Sequence, residues 1–274
     1  MTAGGRPRRG GGVIDARGVD EAARAAGFGG VARYVTATGS TNDDLIAAAD
    51  AGAPAWSVLV AGRQDAGRGR RGRTWIAGQG SSLLVSVLLR PAAPPDLAAL
   101  VSLGAAVAVC EALGEAGVRA RCTWPNDVIA EGSGRKIAGV LPESRIEGGA
   151  LRHVVIGAGV NVRQRRHDFP QELRSSATSV VLEGGSTDQR ALLGSYLAAL
   201  RAGSDPDAPG FAGRALDAYR ARSDTIGREV RAIMSDGRTI VGKAVDVDNG
   251  GRLVIRPSRG EEVVVSSGEV ERIR

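Results

Sequence analysis

Two cysteines in 274 residues, Cys110 and Cys122, rule out a disulfide framework and a thiolate metal cage. No run of about 18 apolar residues is evident, so no membrane span is expected. The first ten residues, Met1 to Gly10, lack the apolar stretch of a secretory leader. A soluble cytoplasmic protein is therefore the expectation. Lysine is almost missing: of 36 basic residues only Lys136 and Lys243 are lysine, and the rest are arginine. The net charge of +6 and pI near 10.1 would fit a nucleic-acid partner. With 40 glycines and heavy alanine use beside the arginines, the charge instead reads as a composition bias. Neither a nucleic-acid nor a membrane partner is expected.

What is present suffices for a globular core, since 43% of the chain is hydrophobic and 24% charged. Residues 1–14 are rich in glycine and arginine and carry too little apolar surface to order. A short amphipathic helix is predicted from Val19 to Ala26. A strand over 33–35 runs into Gly39-Ser40-Thr41-Asn42, where Thr41 or Asn42 caps a helix through Ala51. Strands follow at 56–61 and 82–89, then a long helix from Asp96 to Ala116 with apolar residues on its spacing. Strands at 118–123, 137–141 and 154–162 and helices at 189–200 and 211–222 complete a large α+β unit, residues 15–224. From 225 to 274 the pattern changes to short strands split by glycine-rich turns, which reads as a small β-barrel.

The densest chemistry lies in Gly67-Arg68-Gly69-Arg70-Arg71-Gly72-Arg73, with Gln64 before it and Trp75 after. Glycines let backbone N–H groups approach an anion, and arginine forks match phosphate oxygens. The same residues could also form no more than a solvated basic turn. No Gly-Lys-Ser/Thr closes the segment as in a nucleotide-binding P-loop. No Gly-x-Gly-x-x-Gly joins a strand to a helix there as in a dinucleotide fold.

Three more segments belong with it: Gly39-Ser40-Thr41-Asn42, Trp124-Pro125-Asn126-Asp127 with Arg135-Lys136-Ile137-Ala138-Gly139, and Gly157-Ala158-Gly159-Val160-Asn161. In order and spacing these four segments resemble those of the biotin protein ligases, and the likeness covers about residues 34–274. It implies a catalytic fold of the biotin/lipoate ligase type, similar to class II aminoacyl-tRNA synthetases. That fold is a mixed sheet flanked by helices, and it carries a C-terminal barrel like a Src-homology-3 domain. It implies synthesis of biotinyl-5′-AMP from biotin and ATP with Mg²⁺. Biotin then passes to a lysine in the biotin carboxyl carrier domain of an acyl-CoA carboxylase. Matched to biotin are Ser40, Thr41, Asn42, Gln64, Arg68, Gly69, Arg70, Lys136, Gly139, Gly157 and Gly159. Matched to the adenylate are Arg68, Arg70, Arg71, Arg73, Trp75, Asn126, Lys136 and Asn161. Lys136, Arg70 and Asp127 are the catalytic candidates, with Asp127 orienting either Mg²⁺ or the acceptor lysine, or else only capping a turn.

Two departures stand out. The family usually has lysine just before Trp-Pro-Asn-Asp, where this chain has Thr123, and Arg121 is a candidate substitute. Pro142 replaces a small or apolar residue ahead of Glu143 and should end its strand early. The few residues before Gly39 leave no room for the winged helix of the repressor-type members, so no DNA-binding role is expected. A monomer or weak homodimer is anticipated. The rival of the same fold is a lipoate or octanoyl ligase, for which His167-Asp168 is the sole His-Asp pair. A catalytically weak biotin-binding module is the other alternative.

Overall fold

The computed structural model describes residues 12–273, except 93, 235, 236 and 267. Most of the tail expected over 1–14 thus lies outside the described residues, but Ile14 at its end is buried. Its backbone N–H donates to Gln189 Oε1 at 3.2 Å. The chain then runs α1 (Ala16–Ala25), β1 (Ala32–Val35), α2 (Thr41–Asp50), β2 (Val58–Ala61) and β3 (Ser82–Leu89). It continues through α3 (Ala98–Glu115), β4 (Ala120–Thr123), β5 (Asp127–Ala130), β6 (Lys136–Glu147), β7 (Ala150–Asn161), α4 (Gln189–Gly203) and α5 (Phe211–Arg222). Strands β1 to β7 form one mixed sheet in the order β1-β2-β3-β7-β6-β5-β4, with only β1 and β2 parallel. Helices cover both faces, as the expected α+β class requires.

Alternation along the strands decides what each face meets. On β3, Leu83, Val85, Val87 and Leu89 enter the large core with α1, α3, α4 and α5. Leu88 points the other way and, with Leu59 and Val155, packs under Leu45 and Ala49 of α2. That second face is covered by α2 at one end and left open at the other. The N-cap of α2 is Ser40, whose Oγ accepts from Asp43 N, one or two residues earlier than expected.

Among the described residues, α3 is long and apolar enough to cross a membrane. It is instead the core helix, with Leu100, Val101, Ala105, Ala108 and Val109 buried against α4, α5 and β6. Pro142 does not end β6, which continues to Glu147. Val140 turns both its N–H and its C=O toward Asn126 on the β5 side. Pro142, two residues on, faces the same side, where β5 has already ended, so no ladder bond is lost.

The C-terminal strands are β8 (Glu229–Met234), β9 (Thr239–Val247), β10 (Leu253–Pro257), β11 (Val263–Val265) and β12 (Gly268–Arg272). Among the described residues they form an open antiparallel sheet, β11-β10-β9-β8-β12, rather than a closed barrel. Two residues join its opposite edges, so the sheet must curl strongly, because each residue spans at most about 3.6 Å. A Cβ on Gly268 would lie 3.4 Å from Val265 Cγ1, yet no ladder pairs the two edges among the described residues.

Trp124 ties the two units together. It is 3% exposed, its Nε1 donates to Gly251 O at 3.0 Å and its N to Thr225 Oγ1 at 2.9 Å. Replacing it with Phe keeps most of the apolar contact and strands the Gly251 carbonyl, a loss of about 1–3 kcal/mol. Urea titration should show the reduced midpoint, and an unchanged midpoint would mean that this bond contributes nothing to stability.

Candidate active site

The open end of the second sheet face carries a cavity of about 460 Å³. Strand pairing shows how the sequence builds its floor. Leu84, Gly159, Gly139, Asp127 and Thr123 are consecutive partners across β3, β7, β6, β5 and β4, so they share one row on one face. The neighbouring row holds Ser86, Gly157 and Leu141. At the centre of the first row two glycines face each other, which leaves bare backbone where side chains would stand. A Cβ on Gly159 would lie 2.6 Å from the Trp75 ring, and one on Gly157 would overlap Asn42 Oδ1. The glycines therefore admit Trp75 and Asn42 to the sheet surface.

Lys136 reaches this floor through an irregularity. Strict alternation from Gly139 would put Ile137, not Lys136, on the cavity face. A register shift between β5 and β6 pairs Val128 with Ala138 but Ile129 with Lys136, so one residue is skipped. Ile137 and Ala138 consequently both enter the large core, and Lys136 turns to the cavity. Its Nζ lies 2.7 Å from Asp127 Oδ1 and 5.7 Å from the Trp75 ring centroid.

The segment at the start of α2 is wired before any ligand arrives. Thr41 donates from N and Oγ1 to Gln64 Oε1, both at 2.8 Å. Ser86 Oγ lies 2.8 Å from Thr41 Oγ1 and 2.6 Å from Asn42 Oδ1, and is wholly buried. Asn42 Nδ2 donates to Leu141 O and to Glu143. The arginine loop is a small hairpin, closed by Gly69 N donating to Arg73 O and Trp75 N to Gly67 O. Arg71 takes φ 56°, a left-handed conformation that costs a side-chain-bearing residue about 1–2 kcal/mol. Its guanidinium donates to Ile233 O of β8 at 3.4 Å. Arg70 beside it is half-buried and lines the cavity with Asp127. Burial, with the like charges of Arg71 and Arg73, lowers its pKa from the ordinary arginine value, against the pull of Asp127.

Every residue matched to biotin or to the adenylate, and the catalytic candidate Asp127, lines this one cavity: Ser40, Thr41, Asn42, Gln64, Arg68, Gly69, Arg70, Arg71, Arg73, Trp75, Asn126, Asp127, Lys136, Gly139, Gly157, Gly159 and Asn161. Asn126 and Asn161 are also engaged in the frame, donating to Val140 O at 2.8 Å and Thr178 O at 3.0 Å. Thr123 lines the wall as well, whereas Arg121 turns away to Glu131 at 2.6 Å and does not supply the missing cation. His167 and Asp168 sit on an exposed turn outside the cavity. Sequence reasoning missed Phe169, Leu173 and, from β12, Gly268 and Val270 in the lining, and it missed Ser86, which holds Thr41 and Asn42 from behind it. A lone polar residue in the apolar run Leu83–Leu89 was the one available signal for Ser86.

Comparison with known proteins agrees with this geometry. Residues 36–161 match the biotin/lipoate A/B protein ligase family, and residues 225–272 match the biotin protein ligase C-terminal domain. The biotin–[acetyl-CoA-carboxylase] ligase of Mycobacterium tuberculosis is 38% identical over 251 residues, 88% of each chain. The chain belongs to the biotin protein ligase family. The bifunctional ligase/repressor BirA of Bacillus subtilis is 33% identical over 237 residues, 85% of this chain and 72% of that one. The biotin protein ligase of Aquifex aeolicus in complex with biotin and ATP superposes with a TM-score of 0.70 at 27% identity. The match spans 88% of this chain and 98% of that one.

The contact between Trp75 and the bare strand is open to test in this ligase-family chain without any substrate. Gly159→Ala should push the indole off the sheet, since overpacking costs about 1–3 kcal/mol. The expected readout is a changed tryptophan emission spectrum that vanishes as a difference in a Trp75→Phe background. Identical spectra for wild type and Gly159→Ala would show that the ring does not rest there.

Proposed function

We propose that the chain is an ATP-dependent, AMP-forming ligase that makes biotinyl-5′-AMP. It then delivers biotin to a lysine of the biotin carboxyl carrier domain of an acyl-CoA carboxylase. One observation carries the reading: a single cavity has uncharged hydrogen-bonding groups around the Ser86–Gly157 row and cations around the next row. Biotin needs the first set. Its ureido ring must exchange water for donors and acceptors of the protein or forfeit the desolvation cost of about 1–3 kcal/mol. Thr41, Asn42 and Gln64 supply them. The adenylate needs the second set, from Arg70, Arg73 and Lys136.

In the first half-reaction a biotin carboxylate oxygen attacks the α-phosphorus and pyrophosphate leaves. Negative charge builds on the α-phosphate oxygens, where Lys136 acts as a cation held ready by Asp127. Charge placed in advance favours the transition state because no reorganisation is needed then. A lysine in a chain that writes arginine at all but two basic positions argues for a compact point charge beside Trp75. Asp127 is the one carboxylate among the lining residues, and no group of three metal-ligating side chains occurs among the described residues. That donor set suits a Mg²⁺ carried in on the ATP phosphates, with Asp127 as its protein ligand. Such an ion would offset phosphate charge. In the second half-reaction the acceptor amine attacks the acyl carbon, the carbon–oxygen bond to phosphate breaks, and AMP departs. Arg70 covers the mixed anhydride until then, above the Trp75 ring on the floor, which keeps water from it.

Lys136→Ala should lower biotin-dependent pyrophosphate exchange by about two to three decades, the cost of one such charge in the transition state. Its melting temperature should stay close to wild type. Near-normal exchange would remove Lys136 from the chemistry. Arg70→Gly should release biotinyl-AMP faster by about one to two decades, the loss of one charge-assisted hydrogen bond. Mixed with biotin, ATP, Mg²⁺ and an unrelated lysine-rich protein, it should label that protein more than wild type does. Unchanged labelling by a variant that still makes adenylate would show that this loop is not the retaining cover.

A further inference from the structure

Glu143 has no part in the chemistry above, yet separate pieces of the site meet on it. It lies on β6 in register with Val155, two residues beyond Leu141 and on the same sheet face as the cavity. Its Oε2 accepts from Asn42 Nδ2 at 2.7 Å, and its two oxygens accept from Arg68 Nη2 at 3.1 and 3.0 Å. Arg68 also pairs with Asp43. The carboxylate thus bridges the buried floor, where Asn42 is 4% exposed, and the root of the arginine loop. The Asn42 amide is oriented from both ends, with Oδ1 beside Ser86 Oγ and Nδ2 donating to Leu141 O and Glu143. Arg68, held between two carboxylates, sits in a locally negative cluster that disfavours phosphate.

Resting on the ligase reading above, we infer that Glu143 is a positioning residue: it sets the Asn42 amide at the biotin end and pins the arginine loop through Arg68. Arg68 is then a latch, and the phosphate falls to Arg70 and Lys136. The resemblance alone gives Arg68 to biotin and to the adenylate, and a latch differs from a direct biotin ligand in that its loss is shared with the loss of Glu143. A latch that shapes the biotin end moves biotin binding, whereas a phosphate ligand moves ATP binding and the chemical rate.

The test is steady-state pyrophosphate exchange on Glu143→Gln, Arg68→Gln and the double variant, with melting temperatures measured alongside. Each single change should raise the KM for biotin about threefold to tenfold, the scale of a partly exposed charged pair. The KM for ATP and the kcat of adenylate formation should stay within about twofold, and the double variant should lose less than the sum of the singles, since both cut the Glu143–Arg68 link. An unchanged biotin KM, additive losses, or a larger effect of Arg68→Gln on ATP than on biotin would each overturn the assignment. If Glu143→Gln does not fold, Arg68→Gln reads the same link from its exposed side. A folded wild type without biotin-dependent exchange would overturn the ligase reading itself, and this inference with it.

Discussion

The site depends on a stretch of sheet with no side chains. Gly139 and Gly159 face each other across β6 and β7, and Gly157 follows in the next row. A strand interior with glycine forfeits packing and backbone entropy, a cost of about 0.5–1 kcal/mol each relative to alanine. Here the loss is offset by what the bare backbone admits. The Trp75 ring lies on Gly159, Asn42 sits against Gly157, and the stem of Lys136 passes near Gly139. Any Cβ at these positions would lift those groups and close the cavity from below.

The second element is the register shift in β6. It sends Ile137 and Ala138 to the core and turns Lys136 to the cavity, where Asp127 holds it. The ion pair is partly exposed and contributes little to stability. Its consequence is positional: the ammonium is fixed beside the row of glycines by Asp127. The arginines around it divide by partner rather than by sequence spacing. Arg70 lines the cavity with Asp127, Arg71 reaches β8 through its left-handed backbone, and Arg68 binds two carboxylates. Through Arg71, and through Gly268 and Val270 in the cavity wall, the C-terminal sheet takes part in the site.

Much of this was legible in the chain. The helices and the long strands followed from apolar spacing, and the motifs named the residues that converge. What was not legible has identifiable causes. β5 follows so closely on Trp124-Pro125-Asn126 that it reads as part of a turn. Pro142 looked like a strand end because a sequence does not show which side of a strand is already unpaired. The apolar content of α3 reflects its burial among α4, α5 and β6. The C-terminal strands read as a barrel, but closure depends on whether two edges pair, and among the described residues β11 and β12 do not. Partners such as Ser86 and Glu143 were hidden because they act on other side chains, and tertiary contact alone reveals them.

The central claim is that one cavity brings the biotin carboxylate and the α-phosphate of ATP together over the Gly139–Gly159 floor. The most direct measurement is mass spectrometry of the bound small molecules after the protein is incubated with biotin, ATP and Mg²⁺. The account predicts one biotinyl-AMP per active chain, retained through rapid gel filtration and absent when either substrate is omitted. Folded protein that binds biotin and ATP but yields no biotinyl-AMP would contradict it.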